Sequence, residues 1–309
     1  MIDIKNIYKK YNKKGKYVLK DVSFSIDTPG IYGLLGENGA GKTTLMNIIA
    51  TVLQPTKGFL FHDNIEITSK NYNDYKNKVG YMPQDINLYN DLTVSENLKL
   101  FLILCNYSKD KIDYRITELL KMTNLSKQKD RKFKELSGGM KRRLGLAICL
   151  CKDPDIIIVD EPTTGVDPIE RISIRNILKD LALNKIIIFS SHIIEDIEFC
   201  CEIINILSEG ELIYSGSIKE LVESMYNKVW LVKRDDRINE NNYLITNITN
   251  SGKYRWYRII SSKKPVEDAV AVEPTLEDAF IYLRKDRILR WGGKYEQLSI
   301  IPSKKNIKG

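Results

Sequence analysis

Apolar residues recur along the chain in two kinds of pattern that are typical of strands. Residues 1–28 alternate apolar and polar side chains around a polar turn from Asn12 to Gly15, which predicts short antiparallel strands. Continuous apolar runs follow at 31–35 and 156–159, and a third segment of this kind runs from Lys185 to Phe189. Such runs are typical of parallel strands that are buried on both faces. The chain is therefore predicted to combine a parallel sheet with an antiparallel β edge.

Between residues 71 and 150 the apolar period lengthens to that of a helix. Amphipathic patterns such as 92–104 and 112–122 predict a mostly helical subdomain there. Around it, strands alternate with helices, which predicts an α/β fold with right-handed crossovers. After residue 225 the pattern predicts a few strands and then a helix, which begins with a capping box from Thr275 to Asp278.

These changes of pattern predict three segments in a chain of 309 residues. Residues 1–225 form a large α/β domain that includes the helical subdomain at about 71–150, and residues 226–284 form a small C-terminal α+β domain. Residues 285–309 are basic and lose their periodicity, so this tail is predicted to be partly disordered.

Composition and charge limit the possible partners. The 48 basic and 40 acidic side chains give a net charge of +8, for which the two explanations are an anionic partner, such as a nucleotide or a lipid leaflet, and a solvated basic face. The solvated face is the favoured explanation for the basic run at 127–134. The five cysteines lack metal-binding spacing, which favours a reducing compartment. The chain opens without a signal peptide, and its longest apolar runs are too short to span a bilayer.

The main candidate for chemistry is a glycine-rich segment between the apolar run at 31–35 and a predicted helix at 45–50. A strand, a glycine loop and a helix in this order aim several backbone N–H groups at one anion. A lysine and a threonine follow, which supply a positive charge and a hydroxyl ligand for Mg²⁺. The alternative is a tight glycine turn in an ordinary α/β protein. The candidate phosphate-binding residues are Gly36, Glu37, Asn38, Gly39, Ala40, Gly41, Lys42, Thr43 and Thr44.

A pair of carboxylates follows the apolar run at 156–159. Asp160 is expected at the carboxyl end of a strand beside that of the glycine loop, where its hard oxygen ligands suit Mg²⁺. Glu161 is a candidate general base for an attacking water, because a closed site can raise the pKa of a carboxyl group. The alternative for both residues is a capping or loop carboxylate.

The order of the motifs resembles the nucleotide-binding subunit of an ABC transporter over residues 1–225. The motifs that carry the resemblance, in chain order, are the glycine loop, Gln84, the segment Leu136-Ser137-Gly138-Gly139, the pair Asp160-Glu161, the segment Gly165-Val166-Asp167, and Ser191-His192. The resemblance implies a P-loop ATPase core that binds ATP and Mg²⁺, with Thr43, Gln84 and Asp160 around the metal.

The resemblance also implies a role for each remaining motif. Tyr11 would stack on adenine, with Tyr8 and Tyr17 as rivals. Gln84 would reach the metal and the attacking water, and His192 would hold the γ-phosphate and position that water near Glu161. The segment Ser137, Gly138 and Gly139 would bind the γ-phosphate of ATP in the opposite subunit, and Asp167 would link the two sites across the dimer.

Met140 stands where the family often has glutamine. This methionine resembles the exporter branch called ABC-2 type, which includes drug, antibiotic and bacteriocin export ATPases. This branch implies a Mg-dependent ATPase that forms a homodimer or a heterodimer. It would drive a separate membrane-spanning permease from the cytoplasmic face of the membrane, as a peripheral subunit.

Two other classes are weighed against this function. A soluble ABC-type ATPase acting on nucleic acid or ribosomes would carry a long coiled coil or two cassettes, whereas this chain has no sustained heptads and one phosphate loop. A nucleic-acid partner is therefore not expected. A regulatory half that does not hydrolyse ATP is disfavoured because Lys42, Asp160, Glu161 and His192 are all present.

Overall fold

The structure is a computed structural model that describes residues 1–12, 14–233, 243–252 and 254–285. The predicted disorder of the tail therefore lies outside the described residues, apart from Lys285. The described chain divides into two compact units, Met1–Gly216 and a second that begins at Ser217. This division precedes the predicted boundary at residue 225 because the helix at Ile218–Glu223 packs against the helix at Leu276–Leu283 in the second unit. Among the described residues, no helix has the length and apolar character needed to cross a bilayer.

The first unit mixes strands and helices as the sequence pattern predicts. In chain order it contains β1 (Ile2–Lys9), β2 (Leu19–Ile26), β3 (Gly30–Leu35), α1 (Lys42–Ile49), β4 (Lys57–His62), β5 (Ile65–Glu66), α2 (Tyr72–Lys78), β6 (Val79–Met82), α3 (Val94–Leu104), α4 (Ile112–Met122), α5 (Gly138–Cys149), β7 (Ile156–Asp160), α6 (Pro168–Ala182), β8 (Ile186–Ser191), α7 (Ile194–Cys200), β9 (Ile203–Ser208) and β10 (Glu211–Ser217).

The antiparallel edge predicted from residues 1–28 is present. Its four strands lie in the order β2-β1-β4-β5, and Ile4 of β1 faces Phe24 of β2 and Leu60 of β4. All three side chains are buried. Residues that are paired across neighbouring strands point to the same face of the sheet, so the three side chains lie together on one apolar face. This sheet therefore buries its apolar face, as the alternation along the sequence requires.

The second sheet has the order β10-β9-β3-β8-β7-β6 and carries the predicted site. Strands β3, β8 and β7 pair in parallel, and every residue of β7 and β8 is buried, which agrees with their continuous apolar runs. One expectation was wrong: β7, which ends at Asp160, does not pair with β3, since β8 lies between them. The order of the strands is set by long-range pairing that the local pattern does not contain.

The helical subdomain is built from α3, α4 and α5, which contact one another. Thr93 caps α3 in a capping box with Glu96, and Ser137 caps α5 as predicted. These caps fix where the two helices begin, so the segment from Ser137 to Gly139 stands at the start of α5.

The second unit contains, in chain order, α8 (Ile218–Glu223), β11 (Val229–Lys233), β12 (Leu244–Ser251), β13 (Tyr254–Ile260), β14 (Val270–Ala271) and α9 (Leu276–Leu283). Its strands form a separate sheet in the order β12-β13-β11-β14. Asp278 lies in the predicted capping box of α9, is 1% exposed, and forms an ion pair with Arg258 of β13 at 2.6 Å. The predicted α+β composition of the C-terminal segment is thus confirmed.

Candidate nucleotide-binding site

The glycine loop joins β3 to α1 through backbone that only glycine adopts easily. Gly41 has φ +105° directly before α1, and a Cβ there would lie 2.7 Å from Cδ2 of Leu19. A Cβ on Gly36 would lie 2.6 Å from the carbonyl oxygen of Leu207. The loop therefore folds back tightly on β2 and β9, and the first N–H groups of α1, which have no partners within the helix, open onto the space beside it.

Lys42 is the first residue of α1 and is 5% exposed. Its Nζ donates to the carbonyl oxygens of Gly36 at 2.7 Å and Glu37 at 3.1 Å, and it lies 3.6 Å from Oε1 of Glu161. Burial lowers the pKa of Lys42, while the negative charges of Glu161 and Asp160 act in the opposite direction. A buried ammonium group at the start of a helix is the charge expected for binding phosphate.

Ser190 of β8 contacts both acidic residues at the end of β7, Asp160 through its carboxylate and Glu161 through its backbone N–H. Its Oγ donates to Oδ1 of Asp160 at 2.5 Å and accepts from the backbone N–H of Glu161 at 2.9 Å. Oδ2 of Asp160 is buried and has no hydrogen-bond partner within the described residues. A buried carboxylate oxygen without a partner is costly, so this atom suits a cation or a water that a cation holds.

The donors available here fit Mg²⁺ better than a softer metal. No group of three or more His, Cys, Asp or Glu side chains in the described ranges could hold a metal ion. The cavity instead contains the hydroxyl of Thr43 and the amide of Gln84, and Asp160 ends the adjoining strand. Mg²⁺ binds through one or two carboxylates together with substrate phosphates and water, which matches this oxygen-only set.

Glu161 is held by three side chains through a single oxygen. Its Oε2 accepts from Nε2 of Gln84 at 3.2 Å and from Oγ1 of Thr164 at 3.2 Å, and it lies 3.2 Å from Nδ1 of His192. Its backbone has φ +47°, in the left-handed region that costs energy for any residue except glycine. The sequence predicted Glu161, Gln84 and His192 as site residues but not Thr164. The sequence marks Thr164 only as a hydroxyl residue three positions after Glu161.

The residues of the loop and the residues around Glu161 line one cavity of about 520 Å³. From the predicted loop, Gly36, Glu37 and Ala40 are not part of the lining: Ala40 packs into the core, and Glu37 contributes its carbonyl to Lys42. The lining is made by Val18, Asn38, Gly39, Gly41, Lys42, Thr43, Thr44, Gln84, Glu161, Thr164 and His192.

Tyr11 lies beside the first turn of α1. The residue is 61% exposed, and its hydroxyl lies 3.1 Å from Oγ1 of Thr44. Its rivals Tyr8 and Tyr17 pack edge to face against each other, with ring centroids 5.5 Å apart. The contact with Thr44 favours Tyr11 over both rivals, and the stacking itself stays a prediction.

Besides Gly36, Glu37 and Ala40, six predicted residues are absent from the lining of this cavity: Tyr11, Ser137, Gly138, Gly139, Asp160 and Asp167. Ser137 accepts from the N–H of Met140 at 3.2 Å, and Gly138 and Gly139 follow it at the start of α5. Asp167 accepts from the N–H of Glu170 at 3.0 Å and caps α6. The local role of Ser137 and Asp167 is to cap their helices. Ser137, Gly138 and Asp167 are exposed, and their contacts with a second subunit stay predictions.

A buried network behind the site was not found from the sequence. Asp196 of α7 is fully buried and accepts a hydrogen bond from Thr163, and its other oxygen binds the guanidinium of Arg175. This network ties the segment after Glu161 to the helix that follows His192. Its three residues lie on separate elements, and no spacing along the chain indicates their contact.

Comparison with known proteins shows the family to which the chain belongs. The sequence model of the ABC transporter family matches residues 19–164. ABC transporter ATP-binding protein NatA of Bacillus subtilis (strain 168) is 35% identical over 228 residues, which are 72% of this chain and 92% of that protein. Nod factor export ATP-binding protein I of Burkholderia orbicola (strain AU 1054) is 38% identical over 224 residues, covering 72% and 73%. Methionine import ATP-binding protein MetN 1 of Staphylococcus aureus (strain MSSA476) is 34% identical over 228 residues, covering 72% and 67%.

Two solved structures share the fold. The ATP-binding cassette MJ0796, as a dimer in a post-hydrolysis state bound to ADP and Pi, is 31% identical with a TM-score of 0.64, and the match covers 70% of this chain and 98% of that one. CbiO1 of Clostridium perfringens, part of the ABC transporter complex cbiONQ, is 28% identical with a TM-score of 0.65, covering 71% and 89%. With its phosphate loop, acidic pair and cavity, the chain therefore belongs to the ATP-binding subunits of ABC transporters, a family of ATPases.

Proposed function

We propose that this chain is the ATP-hydrolysing subunit of an exporter, which closes as a dimer around ATP and drives a separate membrane-spanning permease at the cytoplasmic face of the membrane. The observation that carries the hydrolytic role is Glu161, held by Gln84, Thr164 and His192 on one side and facing Lys42 on the other. A carboxylate held in a cavity beside a phosphate loop is the arrangement that a general base for water requires.

Each residue around the cavity has a distinct task in this proposal. Lys42 and the N-terminus of α1 bind the phosphates, and the ring of Tyr11 stacks on adenine. Oxygen atoms of Thr43, Gln84 and Asp160 hold Mg²⁺, which offsets negative charge on the phosphates. Glu161 accepts the proton of the attacking water, while Gln84 and His192 orient that water and the γ-phosphate.

The residues outside the cavity support a dimer. Cassettes of this family dimerise, as MJ0796 does. Ser137 and Gly138 are exposed at the start of α5 and offer N–H groups of a helix end to a phosphate from another subunit. The exposed Asp167 supports the proposed link between the two sites. The partner in the dimer is a second copy of this chain or a related subunit.

The direction of transport rests on sequence features. Met140 follows Ser137-Gly138-Gly139, and the segment Gly165–Pro168 resembles the exporter branch. The printed names of relatives include both Nod factor export and methionine import, so these names do not carry the direction.

A pull-down from detergent-solubilised membranes tests the partner. Tagged Glu161→Gln protein with ATP and Mg²⁺ is expected to form a trapped dimer and to bring down a polytopic membrane protein. The matched control is Lys42→Ala, which loses the phosphate contact. A pull-down with this variant is expected to yield less of the dimer and less of the membrane protein. Recovery of ribosomes or nucleic acid without a membrane protein would contradict the proposal and favour a cassette that acts on nucleic acid.

A susceptibility panel tests the direction. Cells that lack this protein, or carry only Glu161→Gln, are expected to become more susceptible to at least one toxic compound, and the wild-type chain is expected to restore resistance. Unchanged susceptibility together with reduced uptake of a nutrient would mean that the subunit drives import.

A further inference from the structure

Arg142 connects three separate elements around the site without lining the cavity. It lies in the second turn of α5, five positions after Ser137. Its Nη1 donates to the backbone carbonyl of Gln84, and its Nη2 donates to the backbone carbonyl of Thr164 at 3.4 Å. One guanidinium group therefore joins α5 to the loop after β6 and to the loop after β7.

The two residues that Arg142 binds are the two that donate to Glu161. The side chains of Gln84 and Thr164 each donate to the same oxygen of Glu161 at 3.2 Å. The guanidinium thus holds the backbone of two of the three residues whose side chains contact Oε2 of Glu161. Burial lowers the pKa of Arg142, and the charges of Asp85, Glu161 and Asp160 oppose this effect, so the acidic groups of the site favour a cation here.

We propose that Arg142 is a positioning residue that couples the start of α5 to Glu161 in the same subunit. This inference rests on the proposed function, in which Ser137 binds ATP from the opposite subunit. When Ser137 engages that ATP, a movement of α5 passes through Arg142 to the backbones of Gln84 and Thr164. These two residues then set the orientation of the general base.

The shape of the side chain makes this task specific to arginine. A guanidinium presents several N–H donors in a rigid plane and binds two carbonyls at once, whereas an ammonium is a point charge on a flexible stem. Arg142→Lys therefore keeps the charge and most of the packing but loses one of the two contacts. Retained activity in this variant would mean that charge alone is sufficient, and it would overturn the inference that two simultaneous contacts position Glu161.

Steady-state kinetics of the full chain in its complex tests the coupling. Arg142→Ala and Arg142→Lys are each expected to lower kcat about tenfold or more, because small displacements of a catalytic group have large effects on rate. KM for ATP is expected to stay within about twofold, since Arg142 does not line the cavity. The matched control is Lys141→Ala, because the ammonium of Lys141 lies 5.1 Å over the ring of Phe133 and not at the site. This variant should keep the wild-type kcat.

A double-mutant cycle that combines Gln84→Ala with Thr164→Ala separates positioning from general destabilisation. If Arg142 acts through these two residues, adding Arg142→Lys to the Gln84→Ala and Thr164→Ala background lowers kcat little further, whereas independent effects multiply. Wild-type kcat in Arg142→Lys or Arg142→Ala, a loss confined to KM, or multiplicative effects in the cycle would each overturn the inference. If Arg142→Ala does not fold, Arg142→Lys carries the test. Absence of ATPase activity in the wild-type complex would instead refute the proposed function, so the two failures are distinguished.

Discussion

Replacement of Ser190 by alanine tests whether β8 holds the acidic pair in place. Ser190 is fully buried, donates to Oδ1 of Asp160 at 2.5 Å and accepts from the N–H of Glu161 at 2.9 Å. Ser190→Ala keeps the Cβ and removes both hydrogen bonds. The buried carboxylate of Asp160 and the buried N–H of Glu161 are then left without this partner.

The expected loss of stability follows from these two contacts. Leaving a buried carboxylate without its donor costs about 3 kcal/mol, and leaving a backbone N–H without its acceptor costs about 1 kcal/mol. The sum is about 4 kcal/mol. At roughly 2–4 °C for each kcal/mol in a unit of this size, the midpoint of thermal unfolding should fall by about 8–16 °C.

The free energy of unfolding is measured by urea denaturation without nucleotide, because bound ATP would add its own stabilisation. The three tryptophans, at positions 230, 256 and 291, all follow Gly216, so far-UV circular dichroism is the appropriate signal for the first unit. The control is Ser191→Ala, which loses one hydrogen bond from the N–H of Ile193 at 2.9 Å and should cost about 1 kcal/mol. Equal losses in the two variants would refute the reasoning.

Three further predictions concern catalysis, nucleotide affinity and pH. His192→Ala should lower kcat about a hundredfold while ATP still binds; turnover like that of the wild type would mean that its contact with Glu161 has no catalytic use. Tyr11→Ala should raise the Kd for ATP about tenfold through lost stacking on the base, whereas Tyr8→Ala should not, and the reverse result would transfer the role to Tyr8. Burial acts to raise the pKa of Asp278, but hydrogen bonds from Arg258 and from the capping box outweigh it and lower the pKa below its usual value. The stability that the ionised Asp278 provides is therefore fully present above about pH 4 and is lost as the pH falls through the lowered pKa. Acid unfolding followed by tryptophan fluorescence should lose this pH dependence in Asp278→Asn. An unchanged pH profile in that variant would contradict the prediction.

The phosphate loop could be predicted because its residues are contiguous. A strand, three glycines, a lysine and a helix start follow one another within residues 31–50, and short-range backbone geometry is sufficient to aim their N–H groups at one point. The acidic pair was predicted for the same reason, since Asp160 and Glu161 directly end an apolar run. The helix caps at Ser137 and Thr275 are equally local, and both are present.

The contacts around Glu161 could not be read from the chain in this way. Ser190 and His192 reach the acidic pair because β8 lies next to β7, and the sequence pattern had suggested β3 as that neighbour. Arg142 reaches Gln84 and Thr164 because α5 packs near both loops, and an arginine on a helix has the same local pattern whether it faces solvent or a site. The alternation of apolar residues determines which faces are buried, but not which strands become neighbours.

The available chemistry can be predicted from the order of the residues along the chain: a glycine loop, an acidic pair and a histidine. The convergence of Gln84, Thr164 and His192 on one oxygen of Glu161, and the position of Ser137 and Asp167 outside the cavity, follow from the folded structure. The physical reason is that local patterns report burial and backbone preference, whereas convergence depends on long-range strand pairing and on the direction of each side chain.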